Sequence, residues 1–441
     1  MVKKVLCIVV VCSFVFVNYV YGVGDTLRPE MSFDKSKEKQ AEGSGVLVFN
    51  LGSSSVKLQF YDMESEKTLT EPINVSVEKK DDEKKQAEAY FKAMEEAKKL
   101  IFEKTPIRPV AVGHRVVHGG EKIKVPSLID KAVLGEIEVS KDFAPIHNYL
   151  NLLGIKFCLE DEDFKNLPMT AVPDTAFHQT MPKKAFMYAL PEWVYKTYKI
   201  RKYGFHGSNH KYVSEKAIQM LKKDGRLKKK IARNTKIISL HLGSGCSIAA
   251  IEDGKSIDTS MGLTPLEGLV MATRSGDIDA TVIFSLAKKT DMSINEIEKL
   301  LNKESGLKGL SGFSDDVRKL IKAAKTGDKR AELAIEIFIY RIIKYTLSYT
   351  GPLKGVDAIV LTGGIGETDN EVSQRIKSEL KYHFEKNYDK KRQPSILTIP
   401  ANEELAIARD TYAIYKKLQA EQKDKLLNFI SKNNEKALMG L

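Results

Sequence analysis

Two stretches decide the fold. The first is Val46-Leu47-Val48-Phe49-Asn50-Leu51-Gly52-Ser53-Ser54-Ser55-Val56-Lys57-Leu58-Gln59-Phe60-Tyr61-Asp62. The second is Ile237-Ile238-Ser239-Leu240-His241-Leu242-Gly243-Ser244-Gly245-Cys246-Ser247-Ile248-Ala249-Ala250-Ile251-Glu252-Asp253-Gly254. Each reads as an apolar strand, a small polar turn carrying Leu-Gly-Ser, and a second apolar strand, which is a hairpin pattern. Glycine and serine let backbone approach a ligand closely, and their N–H and O–H groups can line an anion site. Two such hairpins imply two similar halves that face each other across a cleft, each with a phosphate loop. Gly-Ser turns are common, so two unrelated hairpins are the competing reading.

At 441 residues the chain exceeds one comfortable core, and two domains are expected. An apolar content of 42% is that of an ordinary globular protein. The formal net charge is +12. Lysines spread along helical stretches without interleaved aromatics, so a solvated basic surface is expected and no nucleic-acid partner. The four cysteines, Cys7, Cys12, Cys158 and Cys246, form no CxxC pair or metal spacing, which speaks against a disulfide framework and for a reducing compartment. Residues 1–23 point the other way. Lys3-Lys4 precedes an apolar run from Val5 to Val17, and Val20-Tyr21-Gly22 resembles a cleavage site. That is a secretory signal pattern, too short for stable membrane insertion. An organelle address, or a true start at Met31, would also fit. Residues 24–44 read as linker.

Helices are expected over Glu83–Ile101, Asn148–Glu160, Ile278–Thr290, Ile294–Asn302 and Arg330–Tyr349, from apolar residues at three-to-four spacing. Buried strands are expected at Pro109–Val117, Met169–Val172 and Val356–Leu361. The alternation implies an α/β protein. Thr362-Gly363-Gly364-Ile365-Gly366-Glu367 then falls at a strand's carboxyl end, where such sheets bind ligands. The residues after Tyr415 form a charged helical extension.

Arg115 and Arg274 both sit beside glycine-containing turns, and a guanidinium is a permanent planar fork for carboxylate and phosphate oxygens. Seven of the eight histidines neighbour glycine, proline or another polar motif residue. Gly204-Phe205-His206-Gly207-Ser208-Asn209-His210 places two histidines at i and i+4. It lacks the HExxH glutamate, and Gly207 is expected to break the helix such a metal motif needs, so hydrogen bonding to an anion is preferred to zinc. Asp174 and Asp316 stand near sharp turns as arginine or Mg²⁺ partners, or as helix caps. Glu403 and Glu404 open a helix and read, by spacing alone, as partners of its dipole.

Together these motifs resemble the acetate/propionate kinase family. Asn50–Lys57 and Ser260–Asp279 match its two signatures, and Gly113–Glu121, Asp174–Pro182, Arg201–Gly207 and Thr362–Glu367 match other motifs in the same order. The resemblance covers about residues 45–415. It implies an α/β fold of two ribonuclease-H-like (actin-like ATPase) domains around a central cleft. Residues 45–175 with 404–441 would form the N-terminal domain, and 176–403 the C-terminal, nucleotide-binding domain. It also implies reversible phosphoryl transfer from ATP to acetate, with Mg²⁺ or Mn²⁺, in a homodimer whose catalytic part is cytoplasmic.

Residue roles follow from the same resemblance. Arg115 and Arg274 would hold the acyl carboxylate and the moving phosphoryl group, with Asp174 orienting an arginine and His206 donating to that group in the transition state. Val117, Ile146, Phe205 and Pro265 would wall the acyl pocket. Asn50 and Glu403 would serve the metal, and Ser53 and Ser55 the phosphate loop. Lys57, His241, Gly243, Ser244, Gly245, Asp316, Val317, Arg318, Gly364, Ile365 and Gly366 would line the nucleotide site. Ser244 and Thr368 replace asparagines usual in the family, which bears on the phosphoryl donor. Propionate or butyrate kinase, a pyrophosphate-linked acetate kinase and, more distantly, an actin-like ATPase are the alternatives.

Overall fold

Strand β1 (Gly45–Gly52) turns back into β2 (Ser55–Asp62), pairing from Gly45 with Asp62 to Gly52 with Ser55. Strand β8 (Lys236–Leu242) turns back into β9 (Cys246–Glu252), closing at Leu242 with Cys246. Both expected hairpins therefore form. Their tips differ: two residues, Ser53-Ser54, close the first, and three, Gly243-Ser244-Gly245, the second. The computed structural model describes residues 43–80, 82–224, 234–390 and 393–439, and the leader assigned to 1–23 lies outside them. So do the side chains of Ile146 and of residues 426–439.

Each hairpin seeds a sheet. The first adds β3 (Lys67–Thr68), β4 (Ile73–Ser76), β5 (Ala111–Val116), β6 (Ser127–Leu128) and β7 (Met169–Pro173), in the order β3-β2-β1-β5-β7-β6 with β4 also on β2. The second adds β10 (Lys255–Thr259), β11 (Ala358–Thr362) and β12 (Ser395–Thr398), in the order β10-β9-β8-β11-β12. In both, the hairpin is antiparallel and the next two strands run parallel to its first arm. The chain thus uses one topology twice, and the fold is the expected α/β pair of ribonuclease-H-like sheets.

Strand residues alternate between faces, and here both faces are buried, so the strands read as nearly continuous apolar runs. Leu47, Phe49, Val56 and Leu58 pack against Tyr90, Met94 and Ile101 of α1 (Glu83–Lys104) and Phe157 of α2 (Pro145–Glu160). Val46 and Val48, on the other face, meet Leu405, Ile407 and Ala408. In the second sheet Ile238, Leu240 and Leu242 pack with Phe338 and Ile342 of α5 (Lys329–Ser348) and Ile376 of α6 (Glu371–Asn387). Ile237 and Ile251 turn to Val213, Ala217 and Leu221 of α3 (Gly207–Lys223). Burying a side chain of this size contributes roughly 1.5–3 kcal/mol.

Several elements depart from the sequence reading. Gly207 does not break a helix; it is the first residue of α3. A Cβ there would sit 2.1 Å from the Asp174 carbonyl oxygen, and its N–H donates to that oxygen at 2.9 Å. Only glycine allows so close an approach. The residue before it, His206, takes a left-handed φ of 56° to cap α3. The helix expected over 294–302 ends at Lys299 and continues as a wider turn over Leu300–Glu304. Thr362–Glu367 includes one helical turn, Gly363–Gly366.

Helix α7 (Glu403–Met439) lies across β5. A Cβ on Gly113 would be 2.5 Å from Thr411 Oγ1 and 2.9 Å from Ile407 Cγ2. That tight crossing holds the start of α7 above the carboxyl end of β1. Asn50, Arg115 and Asp174 stand at the carboxyl ends of β1, β5 and β7. Gly243 and Gly363 follow the carboxyl ends of β8 and β11. Open parallel sheets present their ligand sites along these ends.

Candidate active site

Arg115 is held at two points by Asp174. Its Nε donates to Oδ1 at 3.1 Å and its Nη2 to Oδ2 at 2.7 Å. Such a paired-fork contact requires an ionised carboxylate, and it fixes the plane of the guanidinium. The remaining nitrogen, Nη1, donates to Asn50 Oδ1 at 3.2 Å and lies 3.8 Å from Glu403 Oε2. Burial works against the charge on Arg115, but Asp174, Glu403 and Glu404 outweigh it and push its pKa up.

Glu404, not Glu403, closes the polar group around β1. It accepts from Asn50 Nδ2 at 3.0 Å and pairs with Lys57 Nζ at 2.7 Å. Burial opposes its charge, yet Lys57 and Asn50 hold its carboxyl below the ordinary value. Read from sequence, Glu404 is only a helix-dipole partner. Its ties to residues about 350 positions away leave no local signal.

Arg274 is different in kind. Its Nη1 donates to the Pro265 carbonyl oxygen at 3.3 Å, and among the described residues no carboxylate lies within ion-pair distance of it. Burial pulls its pKa down. A half-buried guanidinium without a carboxylate partner invites an anion. A Cβ built on Gly245 would be 3.4 Å from both Arg274 Nη1 and His206 Nε2. The turn, the guanidinium and the imidazole therefore converge on one spot.

His206 stacks on His241, ring centroids 4.2 Å apart. Its Nδ1 lies 2.8 Å from Ser247 Oγ, and His241 Nδ1 lies 2.8 Å from Asn209 Nδ2. Burial holds His206 well below its ordinary pKa, and His241, His210, Arg115 and Arg274 add to it. Burial, then Arg274 and Arg115, bring His147 down to about 4. Both guanidiniums thus act on the same two histidines, His206 and His147.

The other expected residues fall as follows. Val117 and Phe205 are buried in one apolar cluster, and Pro265 is half-buried beside Arg274. Ile146 lies on α2, its side chain outside those described. Ser53 and Ser244 are exposed at the two hairpin tips, and Ser55 is half-buried. Gly364 is exposed on the 363–366 turn, with open space where a Cβ would be, and Ile365 packs against the core. Asp316 caps α4 (Val317–Lys325) through Arg318 N–H and forms a two-point pair with the Arg318 guanidinium, while Val317 packs into the core. Those polar contacts are local to the cap. Asn209, Ser247 and His147 join the site although no spacing singles them out for it.

The family model described as the Acetokinase family matches residues 45–409. The chain belongs to the acetokinase family. It is 44% identical over 404 residues to an acetate kinase of Treponema denticola, covering 84% of this chain and 100% of that one. It is 43% identical over 401 residues to an acetate kinase of Pseudothermotoga lettingae, covering 84% and 97%. Among solved structures, a propionate kinase from Francisella tularensis superposes with a TM-score of 0.73 at 39% identity, covering 83% of this chain and 99% of that one. An acetate kinase from Porphyromonas gingivalis superposes with a TM-score of 0.72 at 33% identity, covering 84% and 99%. Among the described residues no helix is long and apolar enough to cross a membrane.

Proposed function

We propose that this acetokinase-family protein is an acetate kinase, which transfers the terminal phosphoryl group of ATP directly to acetate, reversibly giving acetyl phosphate and ADP. The observation that carries the reading is the convergence of Arg274 Nη1 and His206 Nε2 on the turn at Gly245. Arg115 is oriented by Asp174, and Arg274 is left without a carboxylate next to His206. Acetate is ionised at neutral pH, since carboxyl pKa values lie near 4. The nucleophile needs no general base; the task left is to bring two anions together in line and neutralise their repulsion.

In this reading Arg115 and Arg274 bind the carboxylate and the moving phosphoryl group. His206 Nε2 donates to the equatorial oxygens as charge builds on them. Val117, Ile146, Phe205 and Pro265 wall the methyl group. The Gly243–Gly245 turn, His241, Lys57 and the 363–366 turn serve the nucleotide, with Ser53 and Ser55 as the facing phosphate loop. Asp316, Val317 and Arg318 are assigned to its adenosine side on the family resemblance.

The family uses a divalent metal, and Mg²⁺ is the proposed ion. Among the described residues no group of three His, Cys, Asp or Glu side chains forms a metal cage. Mg²⁺ keeps its waters and takes one or two carboxylates plus substrate phosphates. Glu403 and Asn50 would hold it, and it would screen the charge of the nucleotide phosphates. The lobes would be 45–175 with 404–441 and 176–403. The enzyme would work as a homodimer in the cytoplasm, where its ATP is.

A second reading, propionate kinase, is favoured by the Francisella relative. One methylene is worth only about 1–3 kcal/mol of discrimination. The test is hydroxylamine trapping of acyl phosphate with acetate, propionate and butyrate, each with ATP, GTP and pyrophosphate. Acetate-dependent ADP formation is expected. ATP hydrolysis indifferent to any carboxylate would sink the proposal.

A further inference from the structure

We propose that Ser247, backed by His210 and Ser239, is the positioning residue that decides which nitrogen of His206 carries the proton. The proposal rests on the reading of the spot beside Gly245, Arg274 and His206 as a phosphoryl-transfer site. Four side chains form one line. His206 Nδ1 lies 2.8 Å from Ser247 Oγ. On its other side Ser247 Oγ lies 2.8 Å from His210 Nε2. His210 Nδ1 then lies 3.0 Å from Ser239 Oγ.

The line is built into rigid parts of the fold. Ser239 and His241 are two residues apart on β8, and Ser247 pairs across with His241, so all three share the face that α3 covers. His210 stands one turn into α3 from His206, the residue that caps it. Ser239, Ser247 and His210 are fully buried, so no solvent proton competes for these bonds. The neighbouring His178 is engaged elsewhere, with Ser256 Oγ at 2.8 Å and the Phe205 carbonyl oxygen at 2.9 Å.

A serine hydroxyl has one proton. Its oxygen could accept from both imidazoles, but the buried O–H would then lack an acceptor, since the two ring nitrogens are its side-chain partners among the described residues; Ser247 therefore donates to one and accepts from the other. With neutral rings the line has two polarities. In the first, Ser239 O–H donates to His210 Nδ1, His210 Nε2–H donates to Ser247 Oγ, and Ser247 O–H donates to His206 Nδ1. His206 then presents Nε2–H to the spot beside Gly245 and Arg274 Nη1. In the second, every bond reverses and His206 presents a lone pair there. A phosphoryl oxygen is attracted by the first state and repelled by the second. A doubly protonated His206 would evade the choice, but burial and the two guanidiniums oppose that charge. Ser247 therefore acts through His206, as partners behind a metal-bound histidine set its tautomer.

The test uses the full-length protein labelled with ¹⁵N-histidine, in MgADP and acetate. Nitrogen shifts separate protonated from unprotonated ring positions. His206 is expected to be protonated at Nε2 and bare at Nδ1, and Ser247→Ala is expected to mix the two forms. Ser247→Ala should lower kcat about 10- to 100-fold, with both KM values changed less than about threefold. Ser247→Thr, which keeps the hydroxyl, should recover most of kcat. A wild-type His206 protonated at Nδ1 overturns the proposal without any variant, which covers the case of a Ser247→Ala protein that does not fold. So does a folded Ser247→Ala enzyme with undiminished kcat. Wild-type protein that makes no acyl phosphate would instead overturn the assignment of the reaction.

Discussion

Gly207→Ala tests how the two halves of the site are joined. The new Cβ would stand 2.1 Å from the Asp174 carbonyl oxygen and 2.9 Å from Phe177 Cβ. Ordinary contact begins near 3.4 Å, so the backbone must open by 3.4 − 2.1, or about 1.3 Å. That movement breaks the Gly207 N–H bond to Asp174 and shifts His206, the preceding residue, relative to the Asp174 backbone. A misplacement of about 1 Å costs on the order of 100-fold in rate, or about 2.7 kcal/mol in activation free energy. Steady-state trapping of acetyl phosphate measures the loss, and thermal melting supplies a sign. Without the clash, alanine in a helix would stabilise by up to about 1 kcal/mol relative to glycine. A lowered melting temperature with a kcat/KM down about 100-fold is expected. A Gly207→Ala protein that melts higher and turns over normally would refute the close approach and the placement of His206 drawn from it.

Other outcomes follow from the same geometry. Arg274→Ala should lose about 2.7–4 kcal/mol of transition-state stabilisation, seen in kcat, because it removes the guanidinium that stands with His206 beside Gly245. Asp174→Asn breaks a buried ion pair from one side and should lower unfolding free energy by about 3–5 kcal/mol in urea titrations. Acidification should destabilise the fold. Burial, as the largest cause in each, lowers His114 and His118 to about 3 and His147, His178 and His241 to about 4. Between those values and the ordinary 6.5 the unfolded chain binds more protons, so stability rises with pH there, by up to about 1.4 kcal/mol per pH unit for each histidine. Urea midpoints at pH 7.5 and pH 5.5 check this, and a midpoint unchanged or higher at pH 5.5 would contradict it. Chelation of divalent metal should abolish turnover and Mg²⁺ should restore it, read by the same trapping assay.

Much of the site was legible because its residues lie in short motifs. Asn50 and Lys57 flank one hairpin tip, Gly243 to Gly245 form the other, and Arg115 and Arg274 adjoin glycine turns. Glu404 was not legible. Its charge is bound by Asn50 and Lys57, and nothing within α7 distinguishes it from a dipole partner. Gly207 was misread for a related reason. Glycine disfavours helix interiors, but here it opens the helix because the Asp174 carbonyl leaves no room for a side chain.

From sequence alone came the paired hairpins, the α/β alternation and the candidate phosphate loops. Strand periodicity and turn residues are local properties, and a repeated local pattern exposes a repeated topology. Tertiary structure alone decided which carboxylate serves which cation, and that Arg115 is tied down while Arg274 has no carboxylate partner among the described residues. It also decided that three buried side chains, Ser247, His210 and Ser239, line up behind His206. Those facts depend on contacts between residues tens to hundreds of positions apart. A one-residue shift in strand register would turn Ser247 to the opposite face of its sheet, and local sequence carries no record of which partner lies there.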